Sequence, residues 1–143
     1  MWRARILCAS CIVLLCACSA RRPSSGAARP LDADLRCAEL PDSANSTGRR
    51  NKDAINAKIR AHHSALEQCY EGALQRNSTA RGRIVTRLVI AKDGAVSAAC
   101  VQRATLEDGE AVKCMVDELR SVRFGNADGI VTVVYPIGFD SGR

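Results

Sequence analysis

The chain has 143 residues and a formal net charge of +6, and only 3% of its residues are aromatic. With an N-terminal signal set aside, about 125 residues remain, which is enough for one small domain and a tail. The scarcity of aromatic residues, with twelve Lys and Arg against ten Asp and Glu in residues 55–143, argues against a nucleic-acid surface built on stacking and a basic patch.

The first eighteen residues have the composition of an export signal. Arg3 and Arg5 precede an apolar run over residues 6–17, which is shorter than the roughly 20 residues of a membrane-spanning helix. The end of this run resembles a bacterial lipobox, Leu15-Cys16-Ala17-Cys18. The resemblance implies that residues 1–17 are a lipoprotein signal peptide and that Cys18 carries diacylglycerol. An ordinary signal peptide cut a few residues later is the alternative, and both interpretations send the mature chain out of the cytosol.

Residues 18–52 are predicted to form a lipidated, largely disordered tether. They are rich in Ala, Arg, Ser and Asp, and any helix is interrupted by three prolines, Pro23, Pro30 and Pro41. A flexible chain of this length spans about 30–35 Å on average, which lifts a domain off a membrane without crossing a periplasm. A short helical turn is expected within residues 34–40, and Cys37 lies in it.

The folded domain is predicted over residues 53–143 and begins with a helix. Apolar residues recur at helical spacing from Ile55 to Leu74, and Asp53 is expected to cap the helix at its N-terminus. The spacing then changes to strict alternation over residues 84–90, which predicts a strand.

A hairpin is predicted next, because Asp-Gly supplies the positive φ angles of a tight turn at Lys92-Asp93-Gly94. The second strand covers residues 95–104. Val96 and Val101 cannot share one face of a regular strand, since side chains alternate with a period of two. We therefore expect a β-bulge near residues 98–100.

The last two elements are a helix and a strand. The helix starts at Thr105 or Asp108 and continues to Val122, and the strand covers residues 130–139 with its odd-numbered side chains on one face. Pro136 has no N–H group, so this part of the strand is expected at a sheet edge or a bulge. The order predicts an α+β fold, a small three-stranded sheet with two helices on one face.

Four cysteines lie beyond the signal and the lipobox: Cys37, Cys69, Cys100 and Cys114. An even number in an exported chain indicates two disulfides, for which three connectivities exist. Zinc is disfavoured because no two of these cysteines have the close spacing of a zinc knuckle and because the only histidines, His62 and His63, are adjacent.

No catalytic motif is recognisable. The sequence has no nucleophile elbow, phosphate-binding loop or dinucleotide fingerprint, and Glu71 has no second carboxylate or nucleophile placed beside it by spacing. His62, His63 and Glu71 are interpreted as residues of a helix surface. We therefore predict that the chain is not an enzyme and uses no cofactor and no metal.

The order of these elements and several landmarks resemble a TonB-type C-terminal domain over residues 55–140. The variant is the one found at the ends of myxobacterial gliding-motility proteins. The resemblance is carried by Cys69-Tyr70-Glu71, Gly82-Arg83-Ile84, Gly94-Ala95-Val96, Leu106, Cys114 and residues 133–139. The chain departs from the family's Trp-x-Phe-Pro after the second helix, where it reads Val122-Arg123-Phe124-Gly125.

The resemblance implies a disulfide between Cys69 and Cys114. A bridge closing a loop of about 45 residues contributes roughly 4 kcal/mol in the chain-entropy model. By elimination, Cys37 and Cys100 form the second bridge, and a free or intermolecular Cys37 is the alternative.

The predicted function is that of a non-catalytic, lipid-anchored cell-envelope protein whose domain binds a protein partner. TonB-type domains pair with short peptide segments, so an extended segment could add as a strand to the sheet edge. If the last strand is that edge, the partner is received by Ile130, Val131, Thr132, Val133, Val134 and Tyr135. The alternative is an edge that the tether covers or that Pro136 blocks.

The expected location is the outer membrane, facing the periplasm, because Ser19 rather than Asp follows the lipidated cysteine. The expected partners are the membrane, through the lipid anchor, and an envelope protein, with no nucleic acid and no small-molecule substrate. A rival hypothesis is a periplasmic lipoprotein that uses its four exported cysteines for redox chemistry or metal handling.

Overall fold

The computed structural model describes residues 30–37 and 46–140. The predicted signal peptide, the lipobox with Cys18 and most of the predicted tether lie outside the described residues. Within the described part, a 3-10 turn at Ala33–Leu35 precedes helices α1 (Lys52–Ala61), α2 (His63–Arg76) and α3 (Gly109–Ser121), and strands β1 (Gly82–Ile90), β2 (Val96–Ala104) and β3 (Val131–Phe139). None of the helices in this part of the chain has the length and apolarity needed to cross a membrane.

The three strands form one antiparallel sheet in the order β2-β1-β3. The central strand is therefore β1, and both β2 and β3 are edge strands. The helices pack against one face of the sheet, with α3 in contact with α2, β1 and β2. The predicted α+β fold with a small three-stranded sheet is confirmed.

The core lies between this face and the helices. Its largest fully buried side chains come from β1, from α3 and from the residue after α3: Ile84, Leu88, Ile90, Met115, Leu119, Val112, Val116, Val122 and Thr86. The hydroxyl of Thr86 donates to the carbonyl oxygen of Tyr135 over 3.0 Å, so the buried polar atom has a partner. At the far end of the sheet, the ring of Tyr70 stacks on Phe139 with centroids 4.7 Å apart.

The predicted opening helix is divided into α1 and α2. His62 lies between them with φ −97° and ψ 7°, and its Nδ1 is 2.6 Å from Oε1 of Glu118 on α3. The cap also differs from the prediction, because the side chain of Asn51 accepts the hydrogen bond from the N–H of Asp53 over 2.8 Å. The spacing of apolar residues could not predict this division, because the break at His62 accompanies its contact with Glu118 on α3.

β2 contains two irregularities, and one of them lies next to the predicted bulge. The register against β1 shifts twice, which leaves Ser97 and Gln102 without partners in the ladder, while residues 98–101 pair regularly. The shift at Ser97 resolves the conflict between Val96 and Val101, because it brings Ala99 and Val101 onto the buried face. The expected bulge near residues 98–100 is therefore present one residue before that segment, and a second irregularity follows it at Gln102.

The predicted hairpin turn connects β1 to β2. Gly94 has φ +84°, and a Cβ atom at this position would lie 1.5 Å from the carbonyl oxygen of Phe124. The N–H of Phe124 donates to the carbonyl of Gly94 over 2.8 Å. The segment that follows α3 therefore packs directly on the turn, and only glycine fits there.

Candidate protein-binding edge of β3

Two disulfides hold the described part of the chain together. Cys69 on α2 is bonded to Cys114 on α3, with 5.7 Å between their Cα atoms. Cys37 is bonded to Cys100 on β2, with 4.9 Å between their Cα atoms. The domain is thus a small, disulfide-stapled one.

The outer edge of β2 is contacted by the end of the first described segment, residues 36–37. Arg36 forms a parallel bridge with Val101, and the N–H of Cys37 donates to the carbonyl of Val101 over 3.0 Å. The Cys37–Cys100 disulfide fastens this segment covalently to the strand. One of the two edges of the sheet is therefore closed to further pairing at its middle.

The outer edge of β3 presents the backbone of its even-numbered residues. The N–H of Ile130 donates to Oγ1 of Thr47 over 3.2 Å, and its carbonyl accepts from the N–H of Gly48 over 2.9 Å. The register of β3 against β1 has no shift. Because backbone groups alternate in direction along a strand, Thr132, Val134, Pro136 and Gly138 also point away from β1.

Residues 46–48 occupy the first part of this edge. They bond the backbone of Ile130, and Oγ of Ser46 lies 3.5 Å from the N–H nitrogen of Thr132. Beyond Thr132, no described residue bonds the outward N–H and carbonyl groups of residues 134–138. The exposed stretch therefore overlaps the predicted binding segment at Val134 and extends past its end.

The remaining residues of that predicted segment have other positions. The backbone groups of Val131, Val133 and Tyr135 point toward β1, and only the side chains of these residues reach the edge region. Pro136 points outward, so its missing N–H removes no hydrogen bond from the β1–β3 ladder. The prediction that Pro136 lies at a sheet edge is confirmed.

Exposed apolar surface is concentrated at the same edge. Among the residues that the structure describes, the exposed large hydrophobic side chains are Ile130, 38% exposed, and Val134, 52% exposed. Both have even numbers, so they project from the sheet face opposite the helices. An exposed apolar side chain beside open backbone groups is typical of a strand that receives another chain.

A groove runs along the helix side of this edge. It has a volume of about 590 Å³ and lies between residues 131–136 of β3 and the beginning of α1. The wall formed by α1 and the residues before it includes Arg50, Lys52, Ile55 and Asn56. A strand added to β3 would direct every second side chain into this groove.

The sequence did not indicate Arg50 and Lys52 as site residues. They were placed in the tether, whereas the structure shows that residues 46–51 already contact the domain. The available signal was a cluster of three cations directly before a helix, which is also common in a solvated linker.

Metal ligands are not gathered in the described ranges 30–37 and 46–140, where no group of three or more His, Cys, Asp and Glu could hold a metal ion. His62 bonds Glu118, and Nδ1 of His63 lies 3.3 Å from the carboxylate of Glu67 one helical turn away. Both histidines thus have carboxylate neighbours on the helix surface.

Comparison with known proteins assigns no family. No family model, curated protein or solved structure matches this chain. The geometry of the β3 edge is therefore the basis for any functional argument.

Proposed function

We propose that this chain is a non-catalytic, lipid-anchored protein of the cell envelope whose domain binds a protein partner by strand addition to β3. The observation that carries the proposal is the contrast between the two sheet edges. A covalently fastened segment pairs with the middle of β2 at Val101, whereas no described residue bonds the outward backbone groups of residues 134–138 in β3. Natural sheets protect edges that are not used for pairing, so the exposed edge is the one suited to a partner.

Strand addition fits the groups that the edge offers. Val134 and Gly138 each present one N–H donor and one carbonyl acceptor, and Pro136 presents a carbonyl acceptor alone. Each backbone hydrogen bond contributes about 0.5–1.5 kcal/mol net, so a few bonds and apolar contact with Val134 would support a specific, modest affinity. Selectivity would come from the partner side chains that enter the groove beside α1.

The lipid anchor and the location belong to the same proposal. They are supported by the lipobox-like residues that end at Cys18, and Ser19 favours the outer membrane, facing the periplasm. An oxidising compartment also suits a domain that uses all four of its described cysteines in disulfides. The resemblance to TonB-type domains agrees with partner binding, and the energy transduction of that family is not carried over.

A redox or metal-handling role is the alternative. It would require free thiols, and the four cysteines that such a role would use are paired in two bridges. Intact-mass spectrometry after alkylation tests this directly on protein purified from membranes. Four alkylated thiols without prior reduction would favour the alternative, and a mass that changes only after reduction would favour the binding domain.

The binding proposal is tested by photo-crosslinking in the intact envelope. A photoreactive residue replaces Asn56, which lines the groove without belonging to the strand edge. The matched control places it at Gln75, an exposed position on α2. We expect a discrete crosslinked product from position 56 that is absent from position 75.

Two substitutions of Val134 test whether the crosslinked partner pairs with β3. Val134→Pro removes the outward N–H without removing a bond to β1, and it should abolish the crosslink at position 56. Val134→Thr retains the N–H and the β-branched shape, and it should preserve the crosslink. A crosslink that survives Val134→Pro would show that the partner does not pair with β3.

A further inference from the structure

Arg50 holds a positive charge beside the groove, and its guanidinium is bonded to backbone carbonyls. Its Nη1 donates to the carbonyl of Gly125 and its Nη2 to the carbonyl of Ala91 over 3.2 Å. Its Nε is buried, and no described residue accepts a hydrogen bond from it. Within residues 30–37 and 46–140, no Asp or Glu forms an ion pair with Arg50. Neutral carbonyls orient a guanidinium but leave its charge uncompensated.

Lys52 adds a second cation to the same wall. It is the first residue of α1, is exposed, and makes no ion pair with any described residue. The lining of the groove contains these two cations, the amide of Asn56 and apolar or hydroxyl side chains, and it contains no Asp or Glu. The charge of the groove lining is therefore positive only.

The two cations lie near the open edge. Arg50 bonds Ala91, which follows Ile90, and Ile90 pairs with Val131 at the start of β3. Val134 is three residues further along, which is about 10 Å in a strand. A segment paired at residues 134–138 stops short of residues 46–48, which occupy the edge at Ile130 and Thr132. A long side chain on the helix side of that segment enters the groove whose opposite wall holds both cations.

We propose that the segment received by β3 is acidic: an extended stretch of another protein with an Asp or Glu whose carboxylate binds Arg50 and Lys52. This inference rests on the proposed strand addition and specifies its partner. The side chains of that stretch alternate, with apolar ones facing Val134 and the carboxylate facing α1. A neutral segment would leave the charge of the half-buried guanidinium uncompensated when the groove is covered.

The test uses random dodecapeptides displayed on phage as the probe and the protein with both disulfides intact as the target. Peptides selected by the unmodified protein should carry Asp or Glu next to an alternating apolar pattern. Replacing the acid of the best synthetic peptide by its amide should weaken binding about tenfold, the loss expected for one charge-assisted hydrogen bond.

Charge reversal on α1 provides the matched variants. Lys52→Glu should remove the preference for acidic peptides, because the new carboxylate compensates the charge of Arg50, and an acid in the first turn does not harm the helix. Arg60→Glu changes the net charge equally, but Arg60 is exposed on α1 and lines neither this groove nor the neighbouring one that contains Arg50, so selection should be unchanged. A similar loss of preference in both variants would overturn the inference, because it would indicate only long-range attraction.

Val134→Pro separates this inference from the proposed function. If the selected peptides lack an acid and Val134→Pro abolishes their binding, the acidic partner is overturned and strand addition is retained. Peptides that bind equally well to Val134→Pro would overturn strand addition and, with it, the inference. A failure to select any peptide, together with a dimer in sedimentation that Val134→Pro dissociates, would assign the edge to a second copy of this chain and overturn both.

Discussion

Arg76 at the end of α2 binds Asp108 at the start of α3 through two hydrogen bonds, 2.7 Å from Nε and 2.8 Å from Nη2. The Asp108 side chain is 4% exposed, and its Oδ1 also accepts from the N–H of Ala111 over 2.9 Å. One carboxylate therefore caps α3 and connects it to α2. The hydrogen bonds from Arg76 hold the pKa of Asp108 below its usual value, and those bonds also raise the pKa of Arg76.

We expect Asp108→Asn to lower the free energy of unfolding by about 1–3 kcal/mol, because the amide still caps α3 but removes the buried carboxylate that Arg76 binds. Of its described carboxylate partners, Arg76 keeps only the more exposed Glu110, with 3.4 Å between Nη1 and Oε2. Urea unfolding with both disulfides intact measures the change. Asp117→Asn is the control, since Asp117 pairs with Lys113 and Arg120 on an exposed surface. The control should lose less than about 0.5 kcal/mol, and equal losses would contradict the structural role of Asp108.

The pH dependence of this contribution has a defined sign. The pKa of Asp108 is lower in the folded state than in the unfolded state, where an Asp has a pKa of about 3.9. Its contribution is therefore fully present above that unfolded value and is lost as the pH falls through the lower, folded value. Urea unfolding of the unmodified protein and of Asp108→Asn should differ by a constant amount above about pH 5. The difference should shrink as the pH falls below about 4 and vanish only below the folded pKa of Asp108. A difference that grows on acidification would be incompatible with the ion pair.

The two disulfides should have separable effects. Replacing Cys69 and Cys114 by Ala opens a bridge between residues 45 apart, and we expect a loss of about 4 kcal/mol in the free energy of unfolding. Replacing Cys37 and Cys100 by Ala also releases the segment that covers the β2 edge. Sedimentation at equal concentration should therefore show more self-association for the second variant than for the first. Equal association would show that the disulfide does not protect that edge.

Gly94→Ala should lower the free energy of unfolding by at least about 2 kcal/mol, because Gly94 has a positive φ and its Cβ would collide with the backbone at Phe124. Gly125→Ala is the matched control, since a Cβ at that position meets no atom within 4 Å. Thermal unfolding of the two variants makes the comparison. A near-neutral Gly94→Ala would mean that the turn does not pack against the segment after α3.

Local patterns predicted the elements well where one face of an element is buried. Strict alternation predicted β1 and the buried odd-numbered face of β3, because side-chain direction in a strand depends only on position along it. The missing N–H of Pro136 predicted an edge for the same local reason. The division at His62 and the second bulge of β2, at Gln102, were not predicted, because they accompany contacts with α3 and β1 that are remote in the chain.

The sequence by itself determined the class of fold and the number of cysteines available for bridges, and it predicts an export signal with a lipid anchor. Only the tertiary structure decided that β1 is central, that Cys37 fastens a segment onto the β2 edge, and that Arg50 lies beside β3. The physical reason is that hydropathy and turn residues act within a few positions. Which edge is covered and which is open depends on pairing between residues tens of positions apart.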